Sequence, residues 1–185
     1  RSVANDLTLG TSPQVLIVSG SNMSGKTTLL RSVGISVVMA FMGAPVRASS
    51  LRLSPVSVGA TLRIEDSLQA GRSRFYAEVL RLGQIVKIAR IRPTLFLLDE
   101  LFHGTNSHDR AEGARSLLEF LLAHHAVGLV TTHDLALSQI GDKLTPAVLN
   151  VHFDDTLVDG EMRFDYRLKP GLVRRSNALA IMRAV

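Results

Sequence analysis

The stretch GSNMSGKTT, residues 20–28, follows the apolar run 15–18 and precedes a helix-forming segment. It fits the pattern G-x-x-x-x-G-K-[ST] of a phosphate-binding loop, including the strand before it and the helix after it. Gly20 and Gly25 permit backbone angles that turn successive N–H groups toward an anion. The helix adds its N-terminal dipole. We therefore predict that this loop binds nucleotide phosphates.

Two side chains of the loop have predicted roles in the chemistry. Lys26 reaches the β- and γ-phosphates, and the Thr27 hydroxyl is a ligand of Mg²⁺. A chance match in a Gly/Ser-rich turn is the alternative, and the flanking strand and helix argue against it. The predicted phosphate-binding set is Gly20, Ser21, Asn22, Met23, Ser24, Gly25, Lys26, Thr27 and Thr28.

Two adjacent acids follow a second buried strand. Residues 95–98 form an uninterrupted apolar run, typical of a strand buried on both faces, and Asp99 and Glu100 come directly after it. In phosphate-loop ATPases the Asp holds Mg²⁺, and the neighbouring Glu orients or deprotonates the attacking water. Acids at a strand end are also common as helix caps, so the assignment depends on the phosphate loop. The Glu favours hydrolysis over nucleotide binding alone.

One histidine lies where it can contact a phosphate. His133 follows the next predicted strand, and its position at the same sheet edge places it within reach of a γ-phosphate. A structural role or a helix cap is the alternative. No histidine spacing typical of a zinc site is found. Structural roles are assigned to His103, His108, His124, His125 and His152.

The composition indicates a globular domain and is compatible with a reducing compartment. The chain has 185 residues, of which 46% are apolar, and it has no cysteine for a disulfide or a thiolate metal site. A net charge of +5 is compatible with a nucleic-acid partner, but the basic residues are dispersed. The uncharged run 32–46 is shorter than the about 20 residues of a membrane span. We expect it to be a buried helix and expect no membrane contact.

The order of predicted elements indicates an α/β three-layer sandwich with a mostly parallel sheet, antiparallel edge strands and a C-terminal hairpin. The Asp159-Gly160 pair is a hairpin turn signal. The predicted strands are 3–9, 14–19, 56–64, 95–98, 127–131, 147–153 and 161–168. The predicted helices are 27–42, 72–89, 109–124, a short helix after Asp134 and a last helix capped by Ser176. In helix 72–89 the predicted inward face is Phe75, Val79, Leu82, Val86 and Ala89.

Four stretches, in this order, resemble the ATPase domain of the MutS family of DNA mismatch repair proteins. They are GSNMSGKTT, DSLQAGRSRFYAEV (66–79), LFLLDELFHGTNSHDR (95–110) and TTHD (131–134). The resemblance extends from about Val3 to the end of the chain and implies a P-loop NTPase fold. The L-S-G-G-Q signature typical of ABC transporters is absent.

The resemblance implies an ATPase that uses ATP and Mg²⁺ and acts as a homodimer, in which each subunit completes the other's site. Thr27 and Asp99 then hold Mg²⁺, and Glu100 is the general base. Asn22 orients phosphate or water, and His133 contacts the γ-phosphate side.

The resemblance also assigns residues to the dimer interface and to the base. Ser73 reaches the partner subunit's γ-phosphate, and Thr105 and Asn106 belong to a loop that crosses the interface. Val3 and Tyr166 flank adenine.

The chain departs from the family pattern at three places. Ser2 stands where the family usually has an aromatic residue, Arg74 replaces a small hydroxyl residue, and Phe102-His103 replaces Gly-Arg. These differences concern the adenine contacts and the dimer interface.

The sequence therefore predicts one MutS-like ATPase domain over residues 1–185, excised from a longer cytoplasmic protein. Its ATP-driven dimerisation is expected to act on DNA through domains outside this chain. Two alternatives remain at this point. One is the ATPase subunit of an ABC- or SMC-like machine. The other is an ATP-gated dimerisation module that hydrolyses little ATP when isolated.

Overall fold

Strands and helices alternate along the chain. The computed structural model describes residues 3–62, 74–102, 107–158 and 161–173, and every structural statement below refers to these ranges. The strands are β1 (Val15–Ser19), β2 (Ser57–Ala60), β3 (Thr94–Asp99), β4 (Val127–Thr132), β5 (Val148–Val158) and β6 (Glu161–Pro170). The helices are α1 (Lys26–Phe41), α2 (Arg74–Ala89), α3 (Ser107–Ala123) and α4 (Leu135–Lys143).

The strands form one mostly parallel sheet in the order β2-β3-β4-β1-β5-β6. β1 lies between β4 and β5 and is parallel to both, and β6 is antiparallel to β5. All five residues of β1 are buried, as are the first five of β3. Continuous apolar runs of this kind form central strands because helices cover both faces of a parallel sheet. The mostly parallel sheet and the antiparallel pairing of the C-terminal hairpin confirm the prediction.

The helices lie on both faces of the sheet. Leu30 and Val37 of α1 pack with Leu16, Val18, Leu95 and Leu97 on one face. On the other face, Leu82 of α2, Leu118 of α3 and Leu137 of α4 pack with Val15, Ile17, Phe96 and Val130. This arrangement confirms the predicted three layers.

The predicted edge strand at residues 3–9 is wrong. This segment has no strand structure, and Asn5 attaches it to β6 by its side chain. The Asn5 amide donates to the Tyr166 carbonyl over 2.9 Å, and the Leu168 N–H donates to the Asn5 side-chain oxygen over 2.7 Å. The side chain thus takes hydrogen bonds that a backbone ladder would otherwise make. Since the opposite edge, β2, is parallel to β3, β6 is the only antiparallel edge strand among the described residues.

Helix α1 is less buried than the prediction of a buried helix implied. It ends at Phe41, and Ile35, Val38 and Phe41 are exposed although they are apolar. Across the described ranges, no helix is both long enough and apolar enough to cross a membrane. The predicted strand 56–64 is also shorter, because β2 covers only Ser57–Ala60.

The buried face of α2 differs from the predicted one in the first half of the helix, whereas Leu82 and Ala89 are buried as predicted. Phe75 and Val79 are exposed, whereas Glu78 is buried on the stripe that continues through Leu82, Ile85 and Ala89. The apolar spacing alone does not distinguish these two faces in the first half of the helix. In α3, by contrast, the apolar spacing matches the buried face, because Ala114, Leu118 and Leu121 are fully buried.

Alanine substitutions at two glycines give a matched pair of predictions about stability. A Cβ on Gly128 of β4 would clash with the Phe96 carbonyl oxygen and lie 2.5 Å from the Phe96 ring, and a Cβ on Gly83 of α2 would meet no atom within 4 Å. We expect Gly128→Ala to lower the free energy of unfolding by roughly 1–3 kcal/mol through overpacking. Gly83→Ala should raise it by about 0.5–1 kcal/mol, because alanine favours the helix. Urea unfolding measures both, and equal effects of the two changes would contradict the close packing at Gly128.

Candidate functional site

The loop between β1 and α1 has the backbone of an anion-binding turn. Gly20 has φ 147° and Gly25 has φ 105°, both in the region that favours glycine. A Cβ on Gly20 would lie 2.8 Å from the Ser24 hydroxyl, so a larger residue does not fit there. Gly25 caps α1 without a side-chain hydrogen bond, and the first turn of α1 has no acidic residue. The positive end of the helix dipole thus faces the loop, and no acid of the first turn itself offsets it.

Lys26 is held in place by backbone carbonyls of the phosphate loop. Its ammonium donates to the carbonyls of Gly20 and Ser21, each over 2.8 Å, and the side chain is buried. Burial lowers the pKa of Lys26 from its ordinary value, while the nearby charges of Glu100 and Asp99 act in the opposite direction. The lysine is therefore a buried cation close to two acids.

Two buried hydroxyls of the loop lack a hydrogen-bond partner among the described residues. They are Ser21 Oγ and Ser24 Oγ. Buried polar groups are normally hydrogen-bonded, and an unpaired one often marks a place where a ligand or water binds. The two hydroxyls lie beside Lys26 and the α1 N-terminus, where a bound anion would supply the missing hydrogen-bond acceptors.

The loop meets the first of the two acids directly. The Thr27 hydroxyl lies 3.0 and 2.9 Å from the two oxygens of the Asp99 carboxylate. Thr27 lies in the first turn of α1 and Asp99 ends β3, so the parallel arrangement of β1 and β3 brings both to the same edge of the sheet. The structure thus brings together the two residues predicted to hold Mg²⁺.

Two further threonines hold the acids in place, and the sequence analysis did not single them out. The Thr131 hydroxyl donates to Asp99 over 2.6 Å and accepts from the Glu100 N–H over 3.0 Å. The Asp99 N–H donates to the Thr61 hydroxyl over 3.1 Å. The signal that would have found Thr131 is the register of β3 and β4, which pairs it with Asp99.

Glu100 and His133 lie side by side at the end of the sheet. His133 Nδ1 is 3.3 Å from a Glu100 carboxylate oxygen, and both side chains are partly exposed. Glu100 has φ 50°, a left-handed conformation that turns it away from the strand direction of Asp99. The next residue, Asp134, caps α4 by accepting from Ala136 N–H.

A buried carboxylate connects α2 with the loop after the acids. Glu78 is 4% exposed, and it accepts the Phe102 N–H over 2.7 Å. The ring of Phe102 also packs 6.3 Å, centroid to centroid, from that of Phe75. Glu78 lies within the stretch 66–79 that carries the family resemblance, and it anchors α2 to the loop that follows the acids.

Of the two residues predicted to flank a base, Tyr166 borders the phosphate loop. Tyr166 has φ 54°, and its ring is the nearest group to a Cβ built on Gly25, at 3.3 Å. Val3 is exposed and lies two residues before Asn5, whose side chain bonds to the backbone of Tyr166 and Leu168. Asn5 therefore holds the Val3 segment close to Tyr166, a link that the sequence analysis missed.

The remaining predicted site residues divide into two groups. Asn22, Met23 and Thr28 are exposed on the phosphate loop and the first turn of α1. Ser73, Thr105 and Asn106 lie outside the described residues.

The donor set fits Mg²⁺ better than a transition metal. Within the described ranges, no group of three or more His, Cys, Asp or Glu side chains is arranged to hold a metal ion. Mg²⁺ does not need such a cage, since it binds one or two carboxylates together with waters and substrate phosphates. One hydroxyl and one carboxylate, from Thr27 and Asp99, are hard oxygen donors of this kind.

The fold and this arrangement define an α/β domain in which a glycine-rich loop and a helix N-terminus face a pair of acids. The chain belongs to the MutS family, because residues 16–185 match the family model described as MutS domain V. This match confirms the family predicted from the sequence.

Two relatives illustrate the similarity. The DNA mismatch repair protein MutS 2 of Halobacterium salinarum is 35% identical over 185 residues, which cover 98% of this chain and 21% of the relative. The DNA mismatch repair protein MutS of Streptococcus thermophilus is 35% identical over 184 residues, which cover 97% of this chain and 21% of the relative. The chain thus spans about a fifth of the length of these relatives.

Proposed function

We propose that this chain is the ATPase domain of a MutS-like motor, with residues 1–185 forming one P-loop NTPase domain. The observation that carries the proposal is the contact of the Thr27 hydroxyl with the Asp99 carboxylate, over 2.9 and 3.0 Å. It joins the phosphate loop to the paired acids, and the unpaired hydroxyls of Ser21 and Ser24 point to an anion beside them. Membership of the MutS family supports the same function.

In this proposal the loop binds the phosphates and the acids divide the remaining work. Backbone N–H groups of residues 20–28 and the Lys26 ammonium bind the β- and γ-phosphates. Thr27 and Asp99 hold Mg²⁺, which when bound neutralises charge on the phosphates. Glu100 accepts a proton from the attacking water, and His133, 3.3 Å away, contacts the γ-phosphate side. Asn22 orients phosphate or water.

A homodimer completes the site in this proposal. Exposed apolar side chains of α2 lie near the acids, and Met23 of the phosphate loop is 83% exposed. Apolar groups exposed around a polar site support a protein interface there. Ser73, Thr105 and Asn106 would contact the partner's nucleotide. The exposed apolar side chains of α2 are Phe75, Tyr76, Val79 and Leu80.

The nucleotide base would lie between Val3 and Tyr166. The Tyr166 ring borders the phosphate loop at Gly25, and Asn5 holds the Val3 segment beside it. An aromatic ring and an aliphatic side chain suit the two faces of adenine. DNA binding and any role in mismatch repair would belong to parts of the protein outside this chain.

The family match weighs against an ABC- or SMC-like machine. A module that binds ATP and hydrolyses little of it is the remaining alternative. The comparison of wild-type turnover with that of Glu100→Gln, described in the Discussion, distinguishes such a module from an ATPase.

Nucleotide binding by a Lys26 variant tests the proposed function. Lys26→Ala removes a buried cation that forms charge-assisted hydrogen bonds with phosphate, which are worth roughly 1.5–3 kcal/mol. We expect the dissociation constant for ATP to rise about 10–100-fold in equilibrium titrations with a fluorescent ATP analogue. Lys87→Ala, an exposed lysine of α2, is the matched control and should bind like the wild type. Equal affinity of the two variants would refute the phosphate-loop assignment.

A further inference from the structure

We propose that Thr131 is a positioning residue that holds the Asp99 carboxylate and the Glu100 backbone in their working geometry. The proposal rests on the proposed function, since it concerns the Mg²⁺ ligand and the general base of that site. It adds a residue within β4 to a site otherwise built from the phosphate loop, the end of β3 and His133.

The hydrogen bonds of Thr131 have only one consistent arrangement. Its hydroxyl has one proton, and the Glu100 N–H, 3.0 Å away, can only donate. The Thr131 proton is therefore available for the Asp99 carboxylate, to which the hydroxyl donates over 2.6 Å. Because Thr131 is fully buried, water does not compete for either bond. One hydroxyl thus ties the side chain of one acid to the backbone of the other.

Unlike Thr27, the other partner of the Asp99 carboxylate, Thr131 remains free to orient Asp99 when Mg²⁺ is bound in the proposed function. Thr27 also donates to Asp99, but in the proposed function it binds Mg²⁺ itself. The orientation of Asp99 then has to come from a group that does not bind the metal. Partners of metal ligands that lie outside the ligand set fix the ligand geometry in this way.

The backbone of Glu100 needs the same support. Its φ of 50° is sterically disfavoured for a residue with a side chain, and it persists only where the surroundings hold it. The bond from its N–H to Thr131 is one such constraint, and the burial of Leu101 directly after it is another. Losing the first should let Glu100 move relative to Asp99.

Three variants test the inference. Thr131→Val keeps the shape and removes the hydroxyl, whereas Thr131→Ser keeps the hydroxyl. Thr94→Val is the matched control, because Thr94 is equally buried but lies at the start of β3, where it donates to the Arg92 carbonyl. Nucleotide affinity is measured with a fluorescent ATP analogue in EDTA and across a Mg²⁺ titration, and kcat is measured beside it.

We expect Thr131→Val to need roughly 10–100-fold more Mg²⁺ for half-maximal enhancement of binding, with a matching loss of kcat. Its nucleotide affinity in EDTA should remain that of the wild type. Thr131→Ser and Thr94→Val should both keep the wild-type Mg²⁺ dependence. If Thr131→Val does not fold, Thr131→Ala, compared with Thr94→Ala, takes its place with the same expectation.

Three outcomes would overturn the inference in different ways. A wild-type protein that binds nucleotide normally, with an unchanged Mg²⁺ requirement in Thr131→Val, would overturn the role of Thr131 alone. A wild-type protein that binds no nucleotide would overturn the proposed function and this inference together. An equally raised Mg²⁺ requirement in Thr94→Val would also overturn it, since the effect would then be one of stability.

Discussion

Glu100→Gln should still bind ATP but hydrolyse it roughly 10²–10⁴-fold more slowly, the usual loss for a general base. The amide keeps the size of the carboxylate and can still contact His133, which lies 3.3 Å from it. It no longer accepts a proton from water. The backbone bond from the Glu100 N–H to Thr131 is not changed by the substitution, so Asp99 should keep its place. Single-turnover hydrolysis and equilibrium nucleotide binding separate the two effects.

Two controls accompany the Glu100 variant. Asp99→Asn should instead weaken the Mg²⁺-dependent part of nucleotide binding, because it removes the charge beside Thr27. Glu119→Gln changes an exposed acid that pairs with Arg115 on α3, and it should leave both binding and turnover unchanged. Normal hydrolysis by Glu100→Gln would show that another group is the base. Wild-type turnover as low as that of Glu100→Gln would favour the binding module without hydrolysis.

The central part of the fold could be predicted because its strands carry their own signal. The apolar runs that became β1 and β3 are buried on both faces, so composition alone identifies them. The loop and the acids could be predicted for a related reason. Phosphate chemistry requires particular residue types at a fixed spacing in the chain, and that spacing is visible without a structure.

The supporting residues could not be predicted because their roles depend on contacts between distant segments. Thr131 acts through the register of β3 with β4, and Asn5 acts through β6, 161 residues further along the chain. Glu78 lies in an amphipathic helix where the apolar spacing favoured Phe75 and Val79 as the inward face. Its burial reflects the N–H of Phe102, a partner that no local pattern specifies.

The exposed side of α1 has a similar explanation. Its sequence is apolar around most of the helix, and an uncharged helix is ordinarily buried. The sheet covers only one side of it, so Ile35, Val38 and Phe41 remain exposed in this chain. Composition therefore predicted the helix correctly and its surroundings wrongly.

Mixing Lys26→Ala and Ser73→Ala chains should restore ATPase activity that neither variant has alone. In the proposed dimer, Lys26 serves the site of its own subunit and Ser73 serves the site of its partner. In a symmetric pair of one Lys26→Ala and one Ser73→Ala chain, both defects fall in one site, and the other site has neither. Random assortment then leaves about a quarter of all sites intact.

The specific activity of the wild type supplies the second half of this test. If a site is complete only in the dimer, activity per molecule should rise with protein concentration until association saturates. A mixture of Lys87→Ala with Ser73→Ala is the control for dilution by an active chain. Lys87→Ala should be active before mixing, and the mixture should show no more activity than its two components contribute separately. In the decisive mixture, both parents are inactive, so any restored turnover comes from the mixed dimer. Turnover that is independent of concentration, with no restoration on mixing, would mean that Ser73 acts within its own subunit or has no part in hydrolysis.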